Sequence, residues 1–135
     1  MIYNFAQLLR TQFPTEVVYV DGRVKLAGQA SIPARCLLVI DTGGVERPWI
    51  LRQTATVQIT ARDVDAPRAR KLAHDVFYYL TSRFGLILPQ ITIGGVLHPQ
   101  IQTAQISATQ MPYDLGPDED GRFEYVTNYE IIRER

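Results

Sequence analysis

The stretch GPDEDGRFEYVT, Gly116 to Thr127, sets three acidic side chains ahead of a glycine, a spacing that resembles a calcium loop. A hard divalent cation gathers roughly six to eight oxygens, and an EF-hand loop supplies them from positions one, three and five, with glycine at six and a bidentate Glu at twelve. With Gly121 at position six, Asp118 and Asp120 fall at three and five, but position one is Gly116 and position twelve is Thr127. Two carboxylates make a poor cage. The expectation is therefore a solvated acidic turn in which Pro117 presets φ and Gly121 supplies a positive one, with no metal held.

Other residues able to do chemistry are sparse. His74 and His98 are the only histidines, and neither has the spacing of a zinc site or a nucleophilic triad. His74 falls beside the apolar stripe of a helix, where a structural role is expected, and His98-Pro99 reads as loop. Gly43-Gly44 and Gly94-Gly95 follow apolar runs as a phosphate loop does. Neither leads into Gly-Lys-Ser/Thr or the G-x-G-x-x-G spacing, so both read as turns. Arg68, Arg70 and Lys71 form a small basic cluster, but Asp63, Asp65 and Asp75 interleave with it and no aromatic ladder accompanies it. No catalytic set and no cofactor site emerges, and the expectation is a protein that is not an enzyme.

The whole chain sets the frame for these residues. Its 135 residues suit a single domain, 1–135, with a core of its own. Fourteen basic and fourteen acidic side chains cancel, which removes any global attraction to nucleic acid or an anionic membrane. The lone Cys36, in the apolar run CLLVI, reads as a small buried hydrophobe in a reducing compartment. The N-terminus is interrupted by Asn4, Gln7 and Arg10, too polar for a signal peptide, and no apolar run has spanning length. A soluble intracellular protein is expected.

The elements follow from periodicity. Ile2, Phe5, Leu8, Leu9 and Phe13 recur at near-helical spacing, and Pro14 ends the helix. VVYVDGRVKL carries Asp21-Gly22 between apolar patches, a hairpin signal. GQASIP reads as loop, and ARCLLVIDTGG as a buried strand closed by Gly43 and Gly44. In TATVQITAR, Ala55, Val57, Ile59 and Ala61 face one way, and Thr54, Thr56, Gln58, Thr60 and Arg62 form a wet face. The clearest helix starts at Asp65 as N-cap, has Pro67 in its first turn and Gly85 past its end. Ala69, Leu72, Ala73, Val76, Leu80 and Phe84 form its buried stripe; Arg68, Lys71, Asp75 and Ser82 lie opposite.

LILPQITIGGVLHPQIQ, broken by prolines and glycines, reads as a long loop or irregular hairpin. It is followed by a strand with Ala104, Ile106 and Ala108 inward. The last strand places Phe123, Tyr125, Thr127, Tyr129 and Ile131 on one face and Glu124, Val126, Asn128 and Glu130 on the other. These elements predict an α+β fold of two layers: a mixed, mostly antiparallel sheet with one main helix and an N-terminal helix packed on one face. The uncharged polar faces of TATVQITAR and TAQISATQ suit a surface that meets other protein.

From Arg52 to Arg135 the order of elements resembles the tail terminator, or tail-completion, proteins of long-tailed bacteriophages, often labelled minor capsid or head-tail joining proteins. The resemblance is carried by Val57-Gln58-Ile59 leading into an Ala-, Lys- and Arg-rich helix, by Gln110-Met111-Pro112, by the acidic turn Asp118 to Gly121, and by Asn128-Tyr129. It implies a structural virion protein without enzymatic activity. Such a subunit forms a hexameric ring that caps the tail tube, ends polymerisation and joins the tail to the head connector, or stopper, in the neck. It would assemble in the host cytoplasm and remain in the virion, with no membrane partner and no sequence-specific nucleic-acid binding. Ring closure needs two different patches per subunit. The helix face of Arg68, Lys71 and Asp75 and the strand face of Thr56, Gln58 and Thr60 are the candidates. The alternatives are a small ligand-binding domain with a pocket near Gly94 to Pro99, a calcium-binding domain built on the acidic turn, or another neck component concerned with head completion.

Overall fold

The computed structural model describes residues 1–20, 35–46, 52–118 and 121–134. The expected hairpin turn at Asp21-Gly22 and the loop GQASIP lie outside these residues. Helix α1 spans Ile2–Gln12, strand β1 Val18–Val20, β2 Cys36–Glu46, β3 Arg52–Asp63 and helix α2 Ala66–Thr81. Seven strands follow: β4 Ile87–Leu88, β5 Ile91–Ile93, β6 Val96–His98, β7 Ile101–Gln102, β8 Gln105–Ala108, β9 Tyr113–Pro117 and β10 Phe123–Glu134. The α+β expectation holds. The main sheet runs β1-β2-β3-β10-β8, with β9 also paired to β10, and among the described residues only the β1–β2 pair is parallel.

Alternation along β3 and β10 decides which face is covered. Val57, Ile59, Ala61, Tyr129 and Ile131 point to one side, where they meet Phe5, Leu8 and Leu9 of α1 and Leu72, Ala73, Val76 and Leu80 of α2. Helix α1 lies against β1 and β2, and α2 against β3, β10 and β8, so the two helices share one face of the sheet. The register opposes Val57 to Tyr129 and Ile59 to Thr127. Tyr129 is 1 % exposed, and its burial raises the pKa of its hydroxyl well above the ordinary value.

The second face departs from its expected wetness. Register places Cys36, Arg62 and Glu124 in one row and Leu38, Thr60 and Val126 in the next. Cys36, Leu38, Thr60, Arg62 and Val126 are all buried. A strand face reads as wet when its own residues are polar, but here register sets Thr60 between the apolar Leu38 and Val126, and Arg62 beside Cys36 and its ion-pair partner Glu124.

Three local expectations also change, and a fourth, Asp65 as N-cap, holds in position only. Gly43 and Gly44 do not close β2. The strand continues to Glu46 through an irregularity that leaves Thr42 without an opposite number, and Gly43, at φ 97°, donates its N–H to Asp41 Oδ1 at 2.8 Å. Asp65 occupies the N-cap position of α2 without a side-chain cap bond; instead its N–H donates to Asp63 Oδ1 at 3.1 Å. Phe84 is not in the buried stripe but 80 % exposed, because α2 ends at Thr81 and Gly85, at φ 66°, redirects the chain. Ala104 is exposed because β8 begins only at Gln105, although Ile106 is buried and Ala108 half-buried, as expected.

The irregular hairpin is a two-stranded arm in two parts. Its base pairs β4 with β7 and its tip pairs β5 with β6, and prolines 89 and 99 stand on opposite strands between the two parts. The tip closes on Gly94-Gly95, both at positive φ (58° and 78°), the two-residue turn that suits a twisted hairpin. Among the described residues no helix is long and apolar enough to cross a membrane.

Candidate functional site

On α2, Arg68, Lys71 and Asp75 are exposed as the helical period requires. Lys71 Nζ lies 2.8 Å from Asp75 Oδ2, an i,i+4 pair on open helix surface, and Arg68 Nε lies 3.6 Å from Asp63 Oδ2. The exposed Lys71–Asp75 pair contributes little to stability and leaves both charges available to a partner. Beneath them, Asp63 is almost fully buried. Burial alone pushes its pKa up, but the Asp65 N–H, Arg35 and Arg68 outweigh that and hold it below the ordinary carboxylate value. Arg35 completes the network. Its Nε and one terminal nitrogen grip both oxygens of Glu16, at 2.8 and 2.9 Å, while the other terminal nitrogen donates to Asp63 Oδ2 at 3.0 Å. The foot of β2, the segment after α1 and the β3–α2 junction are thereby tied together.

The strand patch sits on the reverse of the sheet from α2. Thr56 and Gln58 are half-buried there, and the Thr42 hydroxyl donates to Thr56 Oγ1 at 2.8 Å. Thr60 is 5 % exposed between Leu38 and Val126, so it does not present its side chain to solvent as expected. The two patches, five of their six residues accessible or half-accessible, face in opposite directions.

Beside the helix patch a groove of about 560 Å³ is lined by Arg70, Lys71, His74, Tyr78 and Tyr125, among others. His74 Nδ1 is 2.9 Å from the Arg70 carbonyl, which can only accept, so Nδ1 carries the proton and the ring is fixed to its own helix. His98 belongs to β6 rather than a loop and lies against Tyr3, with ring centroids 5.3 Å apart. The segment Gly94 to Pro99, suggested as a ligand pocket, is instead an outward hairpin. Nothing lies within 4 Å of where a Cβ would stand on Gly94 or Gly95.

Asp118 is drawn into the fold. Its Oδ1 accepts the Arg122 N–H at 2.9 Å, its carbonyl accepts the Gly121 N–H at 3.0 Å, and its Oδ2 lies 3.7 Å from Arg62 Nε. Gly121 adopts the expected positive φ, 76°. The carboxylate thus serves the turn and a buried arginine, whereas Asp120 lies outside the described residues. Among the described residues no group of three or more His, Cys, Asp or Glu side chains is placed to hold a metal ion.

Two features escaped sequence reasoning. Arg62, its side chain 4 % exposed, donates to Glu124 Oε1 through Nε at 3.0 Å and a terminal nitrogen at 2.6 Å. Only the register of β10 on β3 shows that pairing. Asn4 is 1 % exposed, and its amide nitrogen faces the carbonyls of Pro89, His98 and Pro99 at 3.0, 3.1 and 3.0 Å. It fastens the arm to α1, where the sequence showed only a polar interruption.

Comparison with curated proteins finds no match. Residues 30–135, however, match the family described as "Bacteriophage tail terminator protein", a span that takes in β2, β3, α2, the arm and β10. The match begins well before Arg52, so it also includes the strand that pairs with the second edge of β3. The chain belongs to the bacteriophage tail terminator family.

Proposed function

We infer that this structural protein closes into a ring on the end of a growing tail tube, stops its polymerisation, and offers its other side to the head connector. The tube protein and the stopper are then its partners. Its assembly takes place in the host cytoplasm and its final place is the neck of the virion. It acts by shape and contact rather than catalysis, as is usual for the structural family to which it belongs.

The observation that carries this reading is the disposition of the two polar patches. A closed ring requires a heterologous interface, in which one patch of each subunit meets a different patch of the next. Arg68, Lys71 and Asp75 on α2, and Thr56 and Gln58 on the reverse of the sheet, are exposed or half-exposed surfaces pointing opposite ways. Both are polar enough to stay apart in dilute solution. A tube end that gathers several subunits raises their effective concentration and drives closure.

Electron microscopy of tubes assembled with and without the protein tests this. Tubes of uniform length ending in ring density are expected when it is present. Unregulated tubes with bare ends would overturn the reading.

A further inference from the structure

From Phe84 to Tyr113 the sequence contains no Asp, Glu, Lys or Arg; all fourteen acidic and fourteen basic residues lie outside this stretch. The stretch is not buried. Ile93, Val96 and Leu97 at the arm tip are 37, 59 and 57 % exposed, and Met111 is 55 % exposed. Depletion of charge together with exposed apolar side chains marks the centre of a protein interface more reliably than overall hydrophobicity does.

The uncharged stretch contributes to two surfaces, one projecting and one concave. One is the projecting arm tip, β5–β6. The other is a groove of about 370 Å³ between α2 and β8, whose lining includes Phe77, Ile106, Ala108, Gln110 and Met111. Strand β8 is the end of the sheet path. Beyond an isolated bridge from Phe84 to Gln105, its outer side pairs with no described strand. Edge strands normally carry a Lys, a Pro or a bulge that blocks pairing, and Gln105–Ala108 carries none of these.

The finger and the groove lie at opposite edges of the subunit. Asn4 and Tyr3 hold the arm beside α1, which covers β1 and β2, whereas the groove follows β8 at the other end of the sheet. A subunit cannot fill its own groove in that arrangement, but a row of subunits can fill each other's. A charged partner would lose hydration against either surface with no counter-charge to meet it, while this chain supplies an uncharged match for both.

We propose that the arm tip of one subunit docks in the α2–β8 groove of a second copy of this chain, adding its backbone to the open edge of β8. This rests on the ring reading above and adds an uncharged contact to the polar one between neighbouring subunits. The contact is head to tail, so it either closes a ring or runs on as a filament.

Single-cysteine chemistry tests it, because the native Cys36 is fully buried and burial raises its thiol pKa. Leu97→Cys marks the tip and Gln110→Cys the groove. With a short bismaleimide, each variant alone should stay monomeric and their mixture should give a covalent dimer. A chain carrying both cysteines should give a ladder ending in a closed ring. In parallel, Leu97→Glu and Met111→Glu should each abolish self-association at high concentration. Mixed, they should form dimers and nothing larger, since each retains one working half. The dimers should be absent if the contact is symmetric. Self-linking of Leu97→Cys alone, linking of the tip to tube protein, or no linking in the mixture, in solution and at tube ends, would overturn the proposal. Capped tubes without the cross-link would remove this contact and leave the terminator reading standing. Cross-linked rings on uncapped tubes would do the reverse.

Discussion

Asn4 offers the sharpest test of how the arm is held. Its side-chain nitrogen carries two protons and faces three carbonyl oxygens, so at least one proton is shared between two acceptors. A typical hydrogen bond contributes about 0.5–1.5 kcal/mol net, and a buried acceptor left without a donor loses about 1–3. Asn4→Ala should therefore cost about 2–4 kcal/mol, the upper end applying if no water enters the gap. With a urea slope of about 2 kcal/mol per molar, the unfolding midpoint should fall by about 1–2 M. Amides of Ile91 to His98 should lose protection from hydrogen exchange ahead of those in β3 and β10.

Asn4→Asp keeps the shape and reverses the chemistry. Its ionised form presents only lone pairs to three carbonyl oxygens, so the folded state favours the protonated acid and its pKa rises above the unfolded value of about 3.9. Between those two values the folded state binds more protons than the unfolded one. Stability should therefore fall as pH rises from about 4, by about 1.4 kcal/mol per unit, until the folded-state pKa is passed. An Asn4→Ala protein within about 0.5 kcal/mol of the parent, or an Asn4→Asp protein whose melt is the same at pH 4 and pH 7, would refute the anchor.

Three further outcomes are expected. Tyr129→Ala, at a side chain 1 % exposed, should cost about 3–5 kcal/mol, while its half-buried neighbour Glu130→Ala should stay near 0.5; the reverse order in urea melts would mean that the register of β10 is wrong by one residue. Arg62→Ala leaves Glu124 and Asp118 facing each other without their shared cation and should cost about 3–5 kcal/mol; a loss under about 1 by calorimetry would show that this cluster is hydrated. Because Asp63 has a lowered folded-state pKa, its contribution is present above the unfolded value of about 3.9 and disappears as pH falls through the folded one. Asp63→Asn should flatten the acid limb of the stability curve, and parallel curves for variant and parent down to pH 2 would rule the linkage out.

The sequence made legible whatever depends on one element at a time. The stripe Ala69, Leu72, Ala73, Val76 and Leu80 repeats at the helical period and is buried; the opposite residues Arg68, Lys71 and Asp75 are exposed. Tyr129 and Ile131 alternate at period two and are buried. What stayed hidden depends on elements meeting. Thr60 and Arg62 look solvated along their own strand, and the register alone reveals Leu38, Cys36, Val126 and Glu124 as their neighbours. Asn4 finds its acceptors 85 to 95 residues away. The charge gap from Phe84 to Tyr113 was readable, but it has meaning only once the arm and the groove are seen at opposite edges.

The longest ladder in the sheet joins β3 to β10, from Asp63↔Phe123 to Arg52↔Glu134. During translation β3 is complete about sixty residues before its partner begins, which at roughly 5–20 residues per second is several seconds or more. Over that interval β2 can protect only one side of β3, and the other side presents Gln53 to Ala61, nine residues without a charge and rich in Thr, Val and Ile. Such a segment pairs readily with copies of itself on neighbouring ribosomes. Arg52 at its start and Arg62-Asp63 at its end bracket it with charge, as gatekeepers do beside strands that must wait. Neutralising that bracket should lower the soluble yield of newly made chains, beyond the loss that follows from removing the Arg62 and Asp63 ion pairs of the folded state.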